Sequence, residues 1–141
     1  IGFDINSDRR KLWTYTLSGN FGGFFSGKLT NLEGEINYRF QPFGSISITT
    51  EFNRLTFDEG EETNFLLLGP KLDVTFTDKI FLTAWVQYNN QIDNINLNTR
   101  FQWRYAPASD LFIVYTDNYF SDNLKVKNRA IVLKLNYWLN L

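Results

Sequence analysis

The chain of 141 residues contains no cysteine, no histidine and no methionine, and only three prolines. Without cysteine there is no disulfide framework, no thiol nucleophile and no thiolate metal site. Without histidine there is no Ser-His-Asp triad, no imidazole ligand and no histidine general base. Serine and threonine are plentiful, but none has a candidate base, so nucleophilic catalysis lacks support. No run of about 18 consecutive apolar residues occurs, so no membrane-spanning helix is expected. The formal net charge is −1, which gives no footprint for nucleic acid. No helix follows the Gly-rich stretch Gly22-Gly23-Phe24-Phe25-Ser26-Gly27, so it reads as a hairpin loop and not as a phosphate loop.

Aromatic residues make up 18 % of the chain, and Thr, Ile, Val, Phe and Tyr suit a pleated, half-buried surface. In two-residue steps, Trp13, Tyr15, Leu17, Gly19 and Phe21 share one face, while Thr14, Thr16, Ser18 and Asn20 share the other. That alternation marks a strand with apolar surroundings on one side and water on the other. It recurs about eight times, over residues 11–21, 29–41, 45–57, 64–77, 80–88, 95–105, 110–118 and 126–139. The fold class expected is all-β, an antiparallel transmembrane β-barrel segment forming one domain over residues 1–141.

The connections alternate in length. Pro42-Phe43-Gly44, Asp78-Lys79 and Ala106-Pro107-Ala108-Ser109 are tight turns. Stretches 22–28, 58–63, 89–94 and 118–125 are longer and polar or Gly-rich. Outer-membrane barrels have short periplasmic turns and longer external loops, which puts Leu141 and the start of the first strand on the periplasmic side. Phe40, Phe43, Phe76, Tyr105 and Tyr137 would mark the periplasmic interface, and Phe21, Phe52, Phe57, Tyr88 and Tyr119 the outer one. Two places break the pattern. A bulge or kink is expected at Gly69-Pro70, where proline deletes a ladder donor, and the alternation slips in phase near Asn53-Arg54-Leu55, which reads as a bulge or an exit from the membrane. A barrel must be exported, yet neither a start residue nor a signal peptide opens the chain. Ile1-Gly2-Phe3-Asp4-Ile5 reads as the end of an earlier strand, so the chain is expected to be the C-terminal piece of a longer polypeptide.

The opposite face gathers Glu33, Glu35, Arg39, Glu51, Lys71, Asp73, Arg100, Arg104 and Lys134. In a barrel these point into the lumen. Both signs are present, so they can form a structural network of ion pairs and hydrogen bonds. The sharper reading is a lining that selects or binds solutes. Glu33 with Glu35, or Glu51 with a neighbour, has the form of a hydrolase carboxylate pair, but acids two residues apart are common on any polar strand face. Asp58, Glu59, Glu61 and Glu62 form an acidic loop tip, either solvated or bridging lipopolysaccharide phosphates through a divalent cation. Arg129 lies outward, placed to meet lipid phosphate or to snorkel. No catalytic residue, cofactor or metal is assigned. The partners expected are outer-membrane lipid or lipopolysaccharide, with other outer-membrane proteins or missing N-terminal strands beside them.

From Trp85 onward the wording is specific. Gln87-Tyr88-Asn89 is followed by Asn98-Thr99-Arg100, Trp103-Arg104-Tyr105-Ala106-Pro107, Ser109-Asp110-Leu111, Val114-Tyr115 and Leu133-Lys134-Leu135-Asn136-Tyr137-Trp138. This resembles the C-terminal barrel region of a Bacteroidota outer-membrane family in which a module like family-9 carbohydrate-binding modules precedes a barrel of unknown function. Asp8-Arg9-Arg10-Lys11 and Tyr38-Arg39-Phe40-Gln41-Pro42 fit it more loosely. Ala108 departs from it, because the family tends to have glycine after the proline. The resemblance implies an upstream sugar-binding-like module and further strands, and no proven activity.

Three functions compete. The first is an outer-membrane barrel acting as channel, anchor or surface-binding platform, linked to glycan or nutrient handling. The second is a self-contained eight-stranded barrel holding a lipophile, like a lipocalin. There the polar face, with about one charge per strand, would have to cover a soluble surface. The third is a barrel-embedded lipid-modifying enzyme, which would lack the histidine such enzymes use. The first is preferred, as the last strands of a larger barrel, since no lipid-facing edge can stay unpaired.

Overall fold

The computed structural model describes residues 1–25, 27–57 and 60–139. These contain no helix and form one antiparallel sheet of nine strands in chain order: β1 (Gly2–Asn6), β2 (Trp13–Phe24), β3 (Gly27–Phe40), β4 (Gly44–Phe57), β5 (Glu62–Thr75), β6 (Ile80–Asn89), β7 (Asn94–Ala106), β8 (Ser109–Phe120) and β9 (Val126–Leu135). Each strand contacts only its neighbours in sequence, and β1 and β9 do not meet. The sheet is therefore open, and closure into a barrel is not part of the described structure.

The pairing register explains why the alternation is coherent across strands. Tyr15 stands opposite Ile36, and Ile36 opposite Ile48. Leu82 stands opposite Val74 and Phe101, Phe101 opposite Ile113, and Ile113 opposite Leu133. One continuous apolar face results, and a slip of one residue would turn a whole strand over. Aromatic pairs fasten its lower rim, with Trp13 stacked on Tyr38 at 4.4 Å and Trp103 edge-on to Tyr105 at 6.0 Å. At Gly19 the face has a gap, and Phe3 of β1 fills it from directly across the pair. A Cβ at Gly19 would run into that ring, so β1 docks because residue 19 has no side chain.

Nothing covers this face. No hydrophobic residue is buried among the described residues, and Trp13 (60 %), Ile36 (55 %) and Leu133 (68 %) stand exposed on it. Two-layer domains in water bury such a face against a second element. Among the described residues the sheet has no second layer.

The ninth strand, β1, covers the residues read as the end of an earlier strand, in addition to the eight expected. Several other expectations need correction. Most of stretch 22–28 is strand and not loop, because β2 runs through Phe24 and β3 starts at Gly27, while Ser26 lies outside the described residues. Ladder pairing continues past the apolar band into the Gly-rich ends, so the contrast between short turns and long loops largely disappears. The bulge expected at Gly69-Pro70 is absent, since Ile48 pairs Pro70 in the same register as the rest of β4 and β5. Proline's missing donor instead leaves a gap in the β5–β6 ladder between Leu68 and Lys71, without shifting it. No bulge occurs at Asn53-Arg54-Leu55 either, because β3 and β4 pair without interruption from Phe40–Gly44 to Gly27–Phe57. Phe57 consequently falls on the polar side of the alternation, away from the outer aromatic level. The irregularities lie elsewhere, between Arg104 and Ala106 and between Asn118 and Tyr119. The last strand ends at Leu135, although Asn136 still exchanges two backbone bonds with Asp110. Asp58, Glu59 and Leu141 lie outside the described residues.

Candidate functional site

The register places Glu33, Glu35, Arg39, Glu51, Lys71, Asp73, Arg100, Arg104 and Lys134 on one face, opposite the apolar one. Some of them meet. Glu33 stands directly across from Glu51, a like-charge pair that would repel. An amide chain threads between them: Asn31 Nδ2 donates to Glu33 Oε1 (3.2 Å) and Asn53 Oδ1 (2.8 Å), and Asn53 Nδ2 donates to Glu51 Oε1 (2.8 Å). Lys71 pairs with Asp73 at 2.8 Å, and Thr83 Oγ1 donates to the same carboxylate. Arg104 lies 3.5 Å from Asp110, which also accepts from Gln102, and its guanidinium sits over Phe81. Glu35, Arg100 and Lys134 have no hydrogen-bond or ion-pair partner among the described residues.

Arg39 has a different part. Its Nη2 donates to the backbone carbonyls of Arg9 (2.5 Å) and Lys11 (2.6 Å), which ties the β1–β2 connection down over the polar face. Beside this clasp lies an open recess of about 260 Å³, lined among others by Ser7, Thr14, Thr16, Glu35, Asn37 and Arg39. A second, of about 280 Å³, runs over Thr16, Ser18, Glu33, Glu35, Thr49 and Glu51. Both are open and lined mostly by polar and charged side chains. Neither contains a nucleophile with a base. Further along the face, Asn94 and Asn96 donate to Asn118, which donates to Asn128, and Asn98 donates to Thr116. Neutral amides and hydroxyls thus satisfy one another where charges are sparse.

One cluster escaped the sequence reading in part. Asp117 is fully buried, and it lies on the apolar face, across from Leu97 and Arg129. Its Oδ2 accepts from Tyr115 Oη (2.6 Å), Tyr119 Oη (2.7 Å), Arg129 Nε (2.9 Å) and Arg129 Nη2 (2.6 Å). Arg129, read from sequence as an outward cation meeting lipid phosphate or snorkelling, does lie on the apolar face, where it is paired with Asp117. Two tyrosines at i and i+4 around an acid on one strand face, with arginine in the next strand, were the available signal. The pairing could not be read without the β8–β9 register.

No protein-family model matches this chain, and no curated protein or solved structure is significantly similar to it.

Proposed function

We propose that this chain forms part of the wall of a β-barrel in a bacterial outer membrane, acting there as channel, anchor or surface-binding platform. The observation that carries the reading is the continuous apolar face, with no hydrophobic residue buried among the described residues, set back to back with a hydrogen-bonded polar face. A soluble domain rarely exposes an apolar patch beyond a few hundred Å², whereas lipid covers one naturally. A lipocalin-like arrangement would need the same face folded inward, leaving a sparsely charged one for water. The polar recesses favour contact with hydrated solutes, and the resemblance to carbohydrate-associated Bacteroidota barrels suggests glycans among them. No catalytic role is assigned.

The test is to express the natural polypeptide, wash membranes with alkaline carbonate, and compare gel mobility with and without boiling. Retention in the pellet with a heat-dependent mobility shift is expected. A carbonate-soluble protein that stays folded without detergent would overturn the reading. Planar-bilayer recording then separates the roles, since stepwise conductance marks a channel and a silent bilayer an anchor or platform.

A further inference from the structure

One large aromatic side chain interrupts the middle of the polar face. Trp85 stands opposite Lys71 on β5 and Asn98 on β7, and it is the one exposed residue of β6 (40 %). Its surroundings explain the position. The β5–β6 ladder is interrupted at Gly69-Pro70, between the pairs Leu68–Tyr88 and Lys71–Trp85. Gly69 is buried there, and a Cβ on it would lie 2.8 Å from Thr49 Oγ1 and 3.6 Å from Trp85 Nε1. The nitrogen edge of the indole therefore rests beside a glycine and adjoins Thr49. Thr49 in turn lines the recess of about 280 Å³ that runs over Glu33, Glu35 and Glu51. An aromatic ring thus stands at the end of a row of carboxylates and hydroxyls.

We propose that Trp85 and this recess bind a neutral saccharide, with one pyranose ring stacked on the indole and hydroxyls bonded along the recess. The inference rests on the reading above, in which this face lines the interior of the wall. A pyranose has a face of C–H bonds, which suits the negative face of an aromatic ring, and a rim of hydroxyls, which needs acceptors. Glu35 offers a carboxylate that no described residue uses. Glu33 and Glu51 each accept from a single amide and keep further acceptor capacity. Thr16 and Ser18 add hydroxyls to the same recess. Glu35 pairs with Thr49 and Thr49 with Gly69, so the carboxylate and the indole edge are two strand spacings apart, about 10 Å at ~4.8 Å each. A disaccharide covers that span. Charge narrows the ligand class. No lysine or arginine lines this recess, and the neighbouring Lys71 is paired with Asp73, so an anionic solute meets like charge. No three acids among the described residues converge to hold a metal ion, so the carboxylates act at separate points, as a row of hydroxyls requires.

The experiment titrates the full natural polypeptide, purified in a detergent without a sugar headgroup, with maltohexaose, cellohexaose, xylohexaose and mannohexaose in a calorimeter. Oligogalacturonate and spermidine serve as the anionic and cationic probes. Binding of at least one neutral hexasaccharide is expected, and none of oligogalacturonate. Trp85→Ala should weaken that binding by about ten- to thirtyfold, Trp85→Phe by less, and Glu35→Gln by about three- to tenfold. Glu35 bonds no other described residue, so Glu35→Gln keeps the test open should Trp85→Ala fail to fold. Silence with all four neutral probes, saccharide binding unchanged in Glu35→Gln and Trp85→Phe, preference for oligogalacturonate, or binding of spermidine alone would each overturn the inference. Carbonate extraction tests the membrane reading separately. A carbonate-soluble protein with Trp85-dependent saccharide binding would overturn that reading and leave the site standing, and a membrane-retained protein without such binding would do the reverse.

Discussion

Leu17 is midway along the apolar face of β2, between Trp13 at one rim and Phe21 at the other. The eight residue steps between those aromatics rise about 26 Å along the strand at ~3.3 Å each. In the proposed membrane wall, a strand tilt near 40° would reduce this to about 20 Å across the bilayer and put Leu17 roughly 10 Å from either rim. Arginine there should cost about 2–4 kcal/mol, against roughly 0–1 at Phe21. That is about a 30- to 900-fold loss in the folding equilibrium for Leu17→Arg, and at most about fivefold for Phe21→Arg. Ser18→Arg, one residue away on the polar face, should be close to neutral. The assay is urea titration of the protein in phospholipid vesicles, followed by tryptophan fluorescence and repeated in a thicker bilayer. Thicker lipid brings Phe21 deeper, so the penalty at Phe21 should grow. Equal penalties at Leu17 and Phe21, insensitive to lipid, would mean that protein rather than hydrocarbon covers this face. A penalty at Ser18 above that at Leu17 would mean that the faces are assigned the wrong way round.

Three further outcomes follow from particular contacts. Ala108 holds a left-handed conformation (φ 54°) in the β7–β8 turn. Relief of ~1–2 kcal/mol of strain, less the ~0.5–1 kcal/mol entropic cost of glycine, makes Ala108→Gly stabilising by up to about 1.5 kcal/mol in the same titration. Gly19→Leu should displace Phe3 and cost about 1–3 kcal/mol, with Phe3→Ala restoring part of the loss; no recovery in the double variant would mean that β1 does not dock on this face. Asp117→Leu leaves Arg129 uncompensated and should lower the urea midpoint, whereas Asp117→Leu with Arg129→Leu should recover most of it, because an apolar pair replaces a closed ion pair at little cost. A double variant as damaged as the single one would refute the pairing.

How much of this was legible in the sequence depends on the range of the interaction. Alternation is local, so the strands and their two faces could be read directly, and Trp13 through Phe21 behave as the two-residue period requires. Strand ends were less visible. Glycine-rich stretch 22–28 has turn composition, but cross-strand bonds between β2 and β3 carry the ladder past that composition. Pro70 was a correct warning of a lost donor and a wrong forecast of a bulge, because its neighbours hold register on both sides. Ala108 was noticed as a departure from glycine, and its positive φ shows what glycine would relieve. The polar-face residues were found by alternation alone. Their partners were not, since Glu33 meets Glu51 and Arg129 meets Asp117 only through register.

The charges left without an ion-pair partner among the described residues bear on how the proposed wall would curve. Glu33, Glu35 and Glu51 lie on β3 and β4, whereas Arg100 and Lys134 lie on β7 and β9, with the neutral Lys71–Asp73 pair between them. Neighbouring strands are about 4.8 Å apart, so Glu51 and Arg100 are separated by roughly 14 Å along the sheet, and Glu33 and Lys134 by roughly 29 Å. No side chain spans that distance on a flat surface. Wrapping the sheet with its polar face inward turns the acidic strands toward the basic ones across the interior, and each group then faces opposite charge through a narrow polar space. The same wrapping puts the apolar face outside. The faces and the charges thus call for the same direction of curvature. Reversing Arg100 and Lys134 to glutamate should therefore disturb folding or solute passage through repulsion with Glu33, Glu35 and Glu51, and the triple change of those acids to glutamine should relieve it. Failure of that rescue would mean that the two charge groups never face each other.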